Sequence, residues 1–291
     1  MNNTISGKTG ILGIIGWPVE HSLSPLMQNE ALRQAGLDLA YVPFPVHPDR
    51  LAEAVRGLRA LGVCGFNVTV PHKSAVIPYL DELTPEAELC GAVNTVRRDG
   101  DRLIGHNTDG IGLLRSLADD LGFDPAGRSV LVLGAGGAAR GAVLSLCAAG
   151  VSRVIVANRT SRPGAELASL ASTRFPRVEA RAISLDMVSI KPLLGQVDLL
   201  LNTTSVGMGG TSFAGLDLSL LRSAALVYDM VYAPLQTPLL VEAKRHGLCC
   251  ANGLGMLAGQ GEAAFSFWTG RIPLPGLMKG CLNGYIEATT A

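Results

Sequence analysis

The sequence predicts a protein of two α/β domains, and three observations carry that expectation. At 291 residues the chain exceeds the roughly 100–200 residues of a typical domain, so each half can bury its own core. Short apolar runs alternate with segments of helical period along the whole length. A turn-rich stretch, "GFDPAGR" at 122–128, interrupts that series and marks a change of domain.

In the first domain, strand-like runs at 9–15, 40–46, 65–70 and 92–96 alternate with helical patterns at 25–35, 48–61 and, more weakly, 85–89. That alternation predicts a sheet with parallel pairing. The opening apolar run spans only about seven residues before Pro18 and has no small-residue cleavage site behind it, so it reads as a strand and not as a signal peptide. A helical segment near 110–121 leads into a second series: strand 129–133, helix 138–149, strand 154–157, helix 164–174, strands at 197–202 and 225–229, and a helix at 237–246. Within it, "SVLVLGAGGAARGAVLSLCAAG" carries one charge in 22 residues. Its glycine cluster predicts strand, turn and helix where hydropathy alone would suggest a membrane span.

Composition excludes several function classes. Lys+Arg and Asp+Glu both number 24, and no run of like charge is present to track a phosphate backbone or anionic lipid. A small-molecule partner is expected, with no nucleic acid and no membrane. The cysteines at 64, 90, 147, 249, 250 and 281 have no metal-ligand spacing, and the five histidines are scattered. No metal site is expected, and the thiols read as buried and reduced. The expected location is the cytoplasm.

"VLVLGAGGAAR" sets Gly134, Gly136 and Ala139 in G-x-G-x-x-A spacing between an apolar strand and an apolar helix, the context that predicts a Rossmann-type doubly wound dinucleotide-binding domain. Gly134 permits the tight turn, Gly136 lets a pyrophosphate approach the backbone, and free N–H groups at the helix start take its charge. After the next strand, "VIVANRTSR" places Asn158 where a free ribose 2′-hydroxyl calls for an acid, followed by Arg159 and Arg162. Guanidinium groups suit a 2′-phosphate. NADP is therefore expected over NAD.

The chemistry-bearing segments lie in the first domain. "GFNVTVPHK" reads as a buried strand running into a helix opened by Pro71, which sets Lys73 near a helix N-terminus, where the dipole opposes a cation and primes it to give up its proton. "GHNTDGIGLL" puts Asp109 just before a helical pattern, equally natural for a cap and for chemistry. "HSLSPLMQN" places Ser24 at an N-cap and Pro25 at N1, leaving the Ser22 and Ser24 hydroxyls beside unpaired helix N–H groups that suit a carboxylate.

Together these segments resemble the shikimate dehydrogenase family, in which S-x-S-P, N-V-T-x-P-x-K, G-A-V-N-T and N-T-D-G accompany a glycine-rich turn and an N-R-T loop. "NTTSVGM", "YDMVYAPLQTPLL" and "GLGMLAGQG" fit as well, so the resemblance spans about residues 11–285. One departure is Gln28-Asn29, where many members carry His-Asn; it touches only local helix contacts. The resemblance implies NADPH-dependent, reversible reduction of 3-dehydroshikimate to shikimate in aromatic amino-acid biosynthesis, with substrate in a cleft between two domains. It implies Lys73 and Asp109 as the catalytic pair, Ser22 and Ser24 as carboxylate binders, and Thr69, Asn94, Tyr232 and Gln260 as further substrate contacts. On the cofactor side it implies Gly134, Ala135, Gly136, Gly137, Ala138, Asn158, Arg159, Thr160 and Arg162, with Thr203, Met230 and Gly253 near the nicotinamide half. With Gln260 so far along the chain, the final segment is expected to fold back as helix onto the first domain, giving residues 1–110 plus 255–291 for substrate and 111–254 for NADP. Two rivals remain: a quinate or dual quinate/shikimate dehydrogenase, which the NADP-type loop disfavours, and a non-catalytic sensor of NADP and a cyclic acid, which the presence of both Lys73 and Asp109 disfavours. The oligomeric state is open, with a homodimer the assembly considered.

Overall fold

Apolar strands separated by amphipathic helices build two six-stranded sheets. The computed structural model describes residues 5–290, and the chain divides into one unit that runs to Gly112 and resumes at Leu257, and a second unit of Leu113–Met256. No helix among the described residues is long and apolar enough to cross a membrane.

The first unit contains β1 (Gly10–Gly16), α1 (Ser24–Gln34), β2 (Leu39–Pro45), α2 (Leu51–Ala60), β3 (Gly65–Val68), β4 (Glu82–Leu83), α3 (Pro85–Cys90), β5 (Thr95–Asp99) and β6 (Arg102–His106). Its sheet runs β2-β1-β3-β5-β6-β4. The expected parallel pairing is present, β1 lying parallel to both β2 and β3, and the sheet is mixed because β5 is antiparallel to both β3 and β6. The cause is the turn at Gly100, whose φ of 59° needs no Cβ to be accommodated, and which joins β5 to β6 as a hairpin. That hairpin escaped the periodicity reading because "RRDGDR" dilutes the apolar signal, and the strand expected at 92–96 in fact begins at Thr95. Ile15, Val55, Phe66, Val68, Val96 and Leu103 share one buried cluster against the sheet.

Two local expectations in this unit are also corrected. No α-helix opens at Pro71: the Val70–Pro71 peptide is cis, turns follow, and only a 3-10 segment forms at Ile77–Tyr79. The dipole argument for Lys73 therefore falls away. In α1 the cap position belongs to Leu23, without a side-chain cap bond, and Ser24 is the first helical residue.

The second unit follows α4 (Asp109–Leu121), in which the boundary between the units falls. It comprises β7 (Ser129–Leu133), α5 (Gly137–Ala148), β8 (Arg153–Asn158), α6 (Ser161–Arg174), β9 (Glu179–Ser184), α7 (Met187–Leu194), β10 (Leu199–Asn202), β11 (Leu226–Asp229), α8 (Pro238–Arg245) and β12 (Cys249–Asn252). The order β12-β11-β10-β7-β8-β9, parallel throughout, is the doubly wound arrangement, and it reverses direction at β7. Both faces are covered, so the strands need not alternate in polarity. Val130, Val132, Val154 and Val156 enter one core, while Leu131, Leu133 and Ile155 enter the other.

Beyond the second unit, α9 (Leu254–Thr269) and α10 (Leu277–Thr290) bring the chain back to the first. Trp268 Nε1 donates to Val96 O at 2.9 Å, and Gln28 Nε2 donates to Gly261 O at 2.9 Å. Gly65 makes room for this return, since a Cβ there would lie 2.5 Å from the Trp268 ring. The expected burial of all six thiols does not hold. Cys90 and Cys147 are buried, Cys249 is exposed and the others are intermediate, all of them free.

Candidate active site

Lys73 and Asp109 meet although 36 residues separate them, with Nζ 2.5 Å from Oδ2. Two elements bring the lysine there. Its backbone carbonyl accepts from Val93 N at 2.8 Å, and the preceding His72, 1 % exposed, places Nε2 2.7 Å from Val46 O. A carbonyl only accepts, so that ring nitrogen is the donor. Asp109 is the first residue of α4, its N–H held by Asn107 Oδ1 at 3.0 Å. Its carboxylate is thus turned to Lys73 and away from capping duty.

Asn94 completes the cluster. Its Nδ2 donates to Asp109 Oδ1 at 2.8 Å and Thr108 Oγ1 at 2.9 Å, and lies 3.4 Å from Gln260 Oε1 on α9. Its Oδ1 accepts from Thr108 N at 2.8 Å, which fixes the amide orientation. Buried polar groups stay only when bonded, and this set is bonded throughout.

A second chain of bonds leads from Asn94 to the serine turn. Asn67 Nδ2 donates to Asn94 O at 3.0 Å, so its Oδ1 faces Tyr41 and accepts from the Tyr41 hydroxyl at 2.7 Å. The Tyr41 hydroxyl in turn contacts Ser24, and burial pushes its titration well above the usual tyrosine range. Ser22 Oγ accepts from Ser24 N at 3.3 Å. Thr69 follows β3 directly, with its N–H on Ile15 O at 2.9 Å. Five residues of the expected substrate set, Ser22, Ser24, Asn94, Gln260 and Thr69, therefore lie in the same unit as Lys73 and Asp109, and all but Thr69 join them through hydrogen bonds. Tyr232 lies in the second unit just beyond β11, with its hydroxyl titration raised by burial.

Tyr41, Asn67, Thr108 and His72 were not in the expected site. A signal for Asn67 existed: it is the polar member of a four-residue strand buried at every position. Tyr41 carried none, because a tyrosine in an apolar strand reads as core.

In the second unit the glycine turn sits at the C-terminal end of β7, where the sheet reverses. Gly134 has φ 107°, and a Cβ there would meet Thr203 Oγ1 and Thr204 Cγ2 at 2.8 Å, so only glycine fits. Gly136 and Gly137 face open space at the start of α5, with Ala135 half-buried and Ala138 exposed beside them. Ala139 is fully buried against the sheet. A cavity of about 660 Å3 is lined by Leu133, Asn158, Arg159, Thr204 and Ser205 among others. Arg159 is exposed and joins no ion pair among the described residues. Asn158 Nδ2 braces the loop through Thr160 O at 2.9 Å and Thr160 Oγ1 at 3.0 Å. Arg162 differs from expectation: α6 begins at Ser161, earlier than its sequence pattern suggests, and Arg162 Nε pairs with Glu166 Oε1 at 2.7 Å one turn along. Thr203 Oγ1 donates to Leu133 O at 2.7 Å, Met230 N donates to Asn202 O at 3.0 Å, and Gly253 lies so close to Met230 O that a Cβ would be 2.1 Å away. An open anion-binding cradle, a helix N-terminus and an unpaired guanidinium fit a 2′-phosphorylated dinucleotide.

A switch-point glycine turn in one unit and a half-buried lysine–aspartate pair in the other define an α/β oxidoreductase that takes a dinucleotide. The comparisons with known proteins narrow this. Residues 14–96 match the shikimate dehydrogenase substrate binding domain, 116–207 the shikimate / quinate 5-dehydrogenase model, and 253–280 the shikimate 5′-dehydrogenase C-terminal domain. The shikimate dehydrogenase (NADP(+)) of Geobacter metallireducens is 61% identical over 94% of this chain and 96% of its own length. Among solved structures, shikimate 5-dehydrogenase from Listeria monocytogenes in complex with shikimate and NAD has TM-score 0.90 at 36% identity, covering 97% of this chain and 99% of that one. The enzyme from Thermus thermophilus in complex with NADP(H) and shikimate has TM-score 0.84 at 37% identity, covering 94% and 99%. The chain belongs to the shikimate dehydrogenase family.

Proposed function

We propose that this protein catalyses the NADPH-dependent, reversible reduction of 3-dehydroshikimate to shikimate. The observation that carries the reading is the Lys73–Asp109 pair at 2.5 Å, embedded in a bonded polar cluster in a chain 61% identical to a shikimate dehydrogenase (NADP(+)). The first unit takes the substrate and the second takes NADP.

In this reading Ser22 and Ser24 hold the substrate carboxylate, and Thr69, Asn94, Gln260 and Tyr232 hold its ring hydroxyls. NADP, when bound, supplies the hydride chemistry. Gly134, Ala135, Gly136, Gly137 and Ala138 cradle its pyrophosphate, and Asn158, Arg159, Thr160 and Arg162 border the 2′-phosphate; Arg162 leaves Glu166 to do so. Thr203, Met230 and Gly253 border the nicotinamide half. Lys73 Nζ stabilises the charge that develops on the ketone oxygen and donates its proton there, giving the alcohol; the reverse reaction takes the proton back. Asp109 stabilises the ammonium form and aims it. With a soluble dinucleotide and a small acid as its ligands, the protein works in the cytoplasm, as a monomer or a homodimer.

The deciding experiment follows cofactor absorbance with shikimate and with quinate, each with NADP and with NAD. Turnover fastest with shikimate and NADP is expected. Preference for quinate would replace the substrate assignment, and no turnover with any pair would make the protein a sensor.

A further inference from the structure

Asp229, at the end of β11, is fully buried, and no cation among the described residues pairs with it. Burial raises its titration above the ordinary carboxylate range. A carboxylate so placed is costly unless its acceptors are filled, and three donors converge on it. Oδ1 accepts from Asn202 Nδ2 at 2.8 Å and from Val231 N at 3.0 Å; Oδ2 accepts from Thr237 Oγ1 at 2.6 Å.

Each donor belongs to a different turn of the second unit. Asn202 also donates to Val206 O at 2.9 Å and accepts from Thr204 N and Thr204 Oγ1 at 2.9 and 2.8 Å, so it shapes the turn that begins at Thr203. Val231 follows Met230, and its carbonyl accepts from Gly253 N at 3.3 Å. Thr237 caps α8. The carboxylate is thus the common acceptor for the Asn202 side chain beside Thr203, the Val231 N–H beside Met230 and the Thr237 cap of α8, and Gly253 joins through the Val231 carbonyl.

We propose that Asp229 is a positioning residue for the nicotinamide half of the cofactor, fixing the turns of Thr203 and Met230 against each other. The proposal rests on the reading above that Thr203, Met230 and Gly253 border that half. A carboxylate is required because it accepts on both oxygens and carries no hydrogen of its own. An amide of the same shape must turn its NH2 toward one of the three: toward Asn202 or Val231 two N–H groups face each other, and toward Thr237 the hydroxyl must accept where it donated, so in either case the charge-assisted bonds that hold the turns are lost. The adenosine half, bordered by Asn158 and Arg159 at the end of β8, has no bond to Asp229.

The test compares NADP with 2′,5′-ADP, which retains the adenosine and 2′-phosphate but lacks nicotinamide, by calorimetric binding to the parent, Asp229→Asn and Thr237→Val. Asp229→Asn should weaken NADP about 10-fold or more, on the order expected for a lost buried bond to a charged group, and leave 2′,5′-ADP within about 2-fold of parent. Thr237→Val, which deletes one donor and leaves the carboxylate, should show the same selectivity to a smaller degree and decides the matter if Asp229→Asn does not fold. Equal loss for both ligands, or no loss for either, in a folded variant overturns the proposal while the cofactor reading stands. A parent that binds neither ligand overturns the cofactor reading and this proposal with it.

Discussion

Asn94 Nδ2 holds one oxygen of the Asp109 carboxylate at 2.8 Å while Lys73 Nζ holds the other at 2.5 Å. The aspartate is therefore fixed in the plane that aims the lysine, and the lysine keeps its remaining hydrogens for another acceptor.

That arrangement makes the pair a single unit. Lys73→Ala should lower kcat by roughly 10²–10⁴-fold, the usual contribution of a positioned acid or base, with a smaller change in the KM for shikimate. Asp109→Asn should also lower kcat, and the double variant should lose far less than the product of the two single losses. Steady-state assays on the three variants check this; a folded Lys73→Ala enzyme near the parent rate would make the lysine structural.

In the proposed reading, cofactor choice rests on Arg159. Its replacement by Ala should raise the KM for NADP roughly 10- to 100-fold, the value of a charge-assisted bond, and leave the KM for NAD nearly unchanged. Equal losses for both cofactors would reject the assignment.

Tyr41→Phe removes only the hydroxyl that links Asn67 Oδ1 to Ser24. A buried acceptor left unpaired costs about 1–3 kcal/mol, read as a lower denaturation midpoint. The KM for shikimate should rise while the KM for NADP holds, because the loosened groups belong to the serine turn. A stability loss with both KM values unchanged would leave Tyr41 a packing residue.

His106 gives a pH dependence. Burial against Phe267 lowers its titration, partly offset by Glu86 3.5 Å away, and its Nδ1 lies 2.7 Å from Thr84 Oγ1. Because the folded value lies below the unfolded one, its contribution is present above the unfolded pKa of about 6.5 and is lost as pH falls through the folded value. Denaturation midpoints followed downward from about pH 7.5 should therefore fall more steeply for the parent than for His106→Gln. Parallel profiles would remove His106 as the cause.

The sequence by itself determined the parts whose information is local. The doubly wound second unit was legible because "VLVLGAGG" joins an all-apolar strand to a turn that needs φ above zero at Gly134, and a parallel sheet covered on both faces writes itself as continuous apolar runs. Family motifs pointed to Lys73 and Asp109 without any geometry. What tertiary structure decided is everything that depends on partners distant in sequence. A proline after a strand is compatible with a helix start or a turn, and the packing of the 70–76 segment under Val93 and Val46 chose the turn, removing the dipole argument for Lys73. Asp109 suits a cap as well as a catalytic site, and only Asn94 and Lys73, 15 and 36 residues away, settle which way its carboxylate turns. Tyr41 and Asp229 look like ordinary strand residues in sequence. Their roles appear only when buried polar atoms must find partners, because that requirement acts through space and leaves no period along the chain.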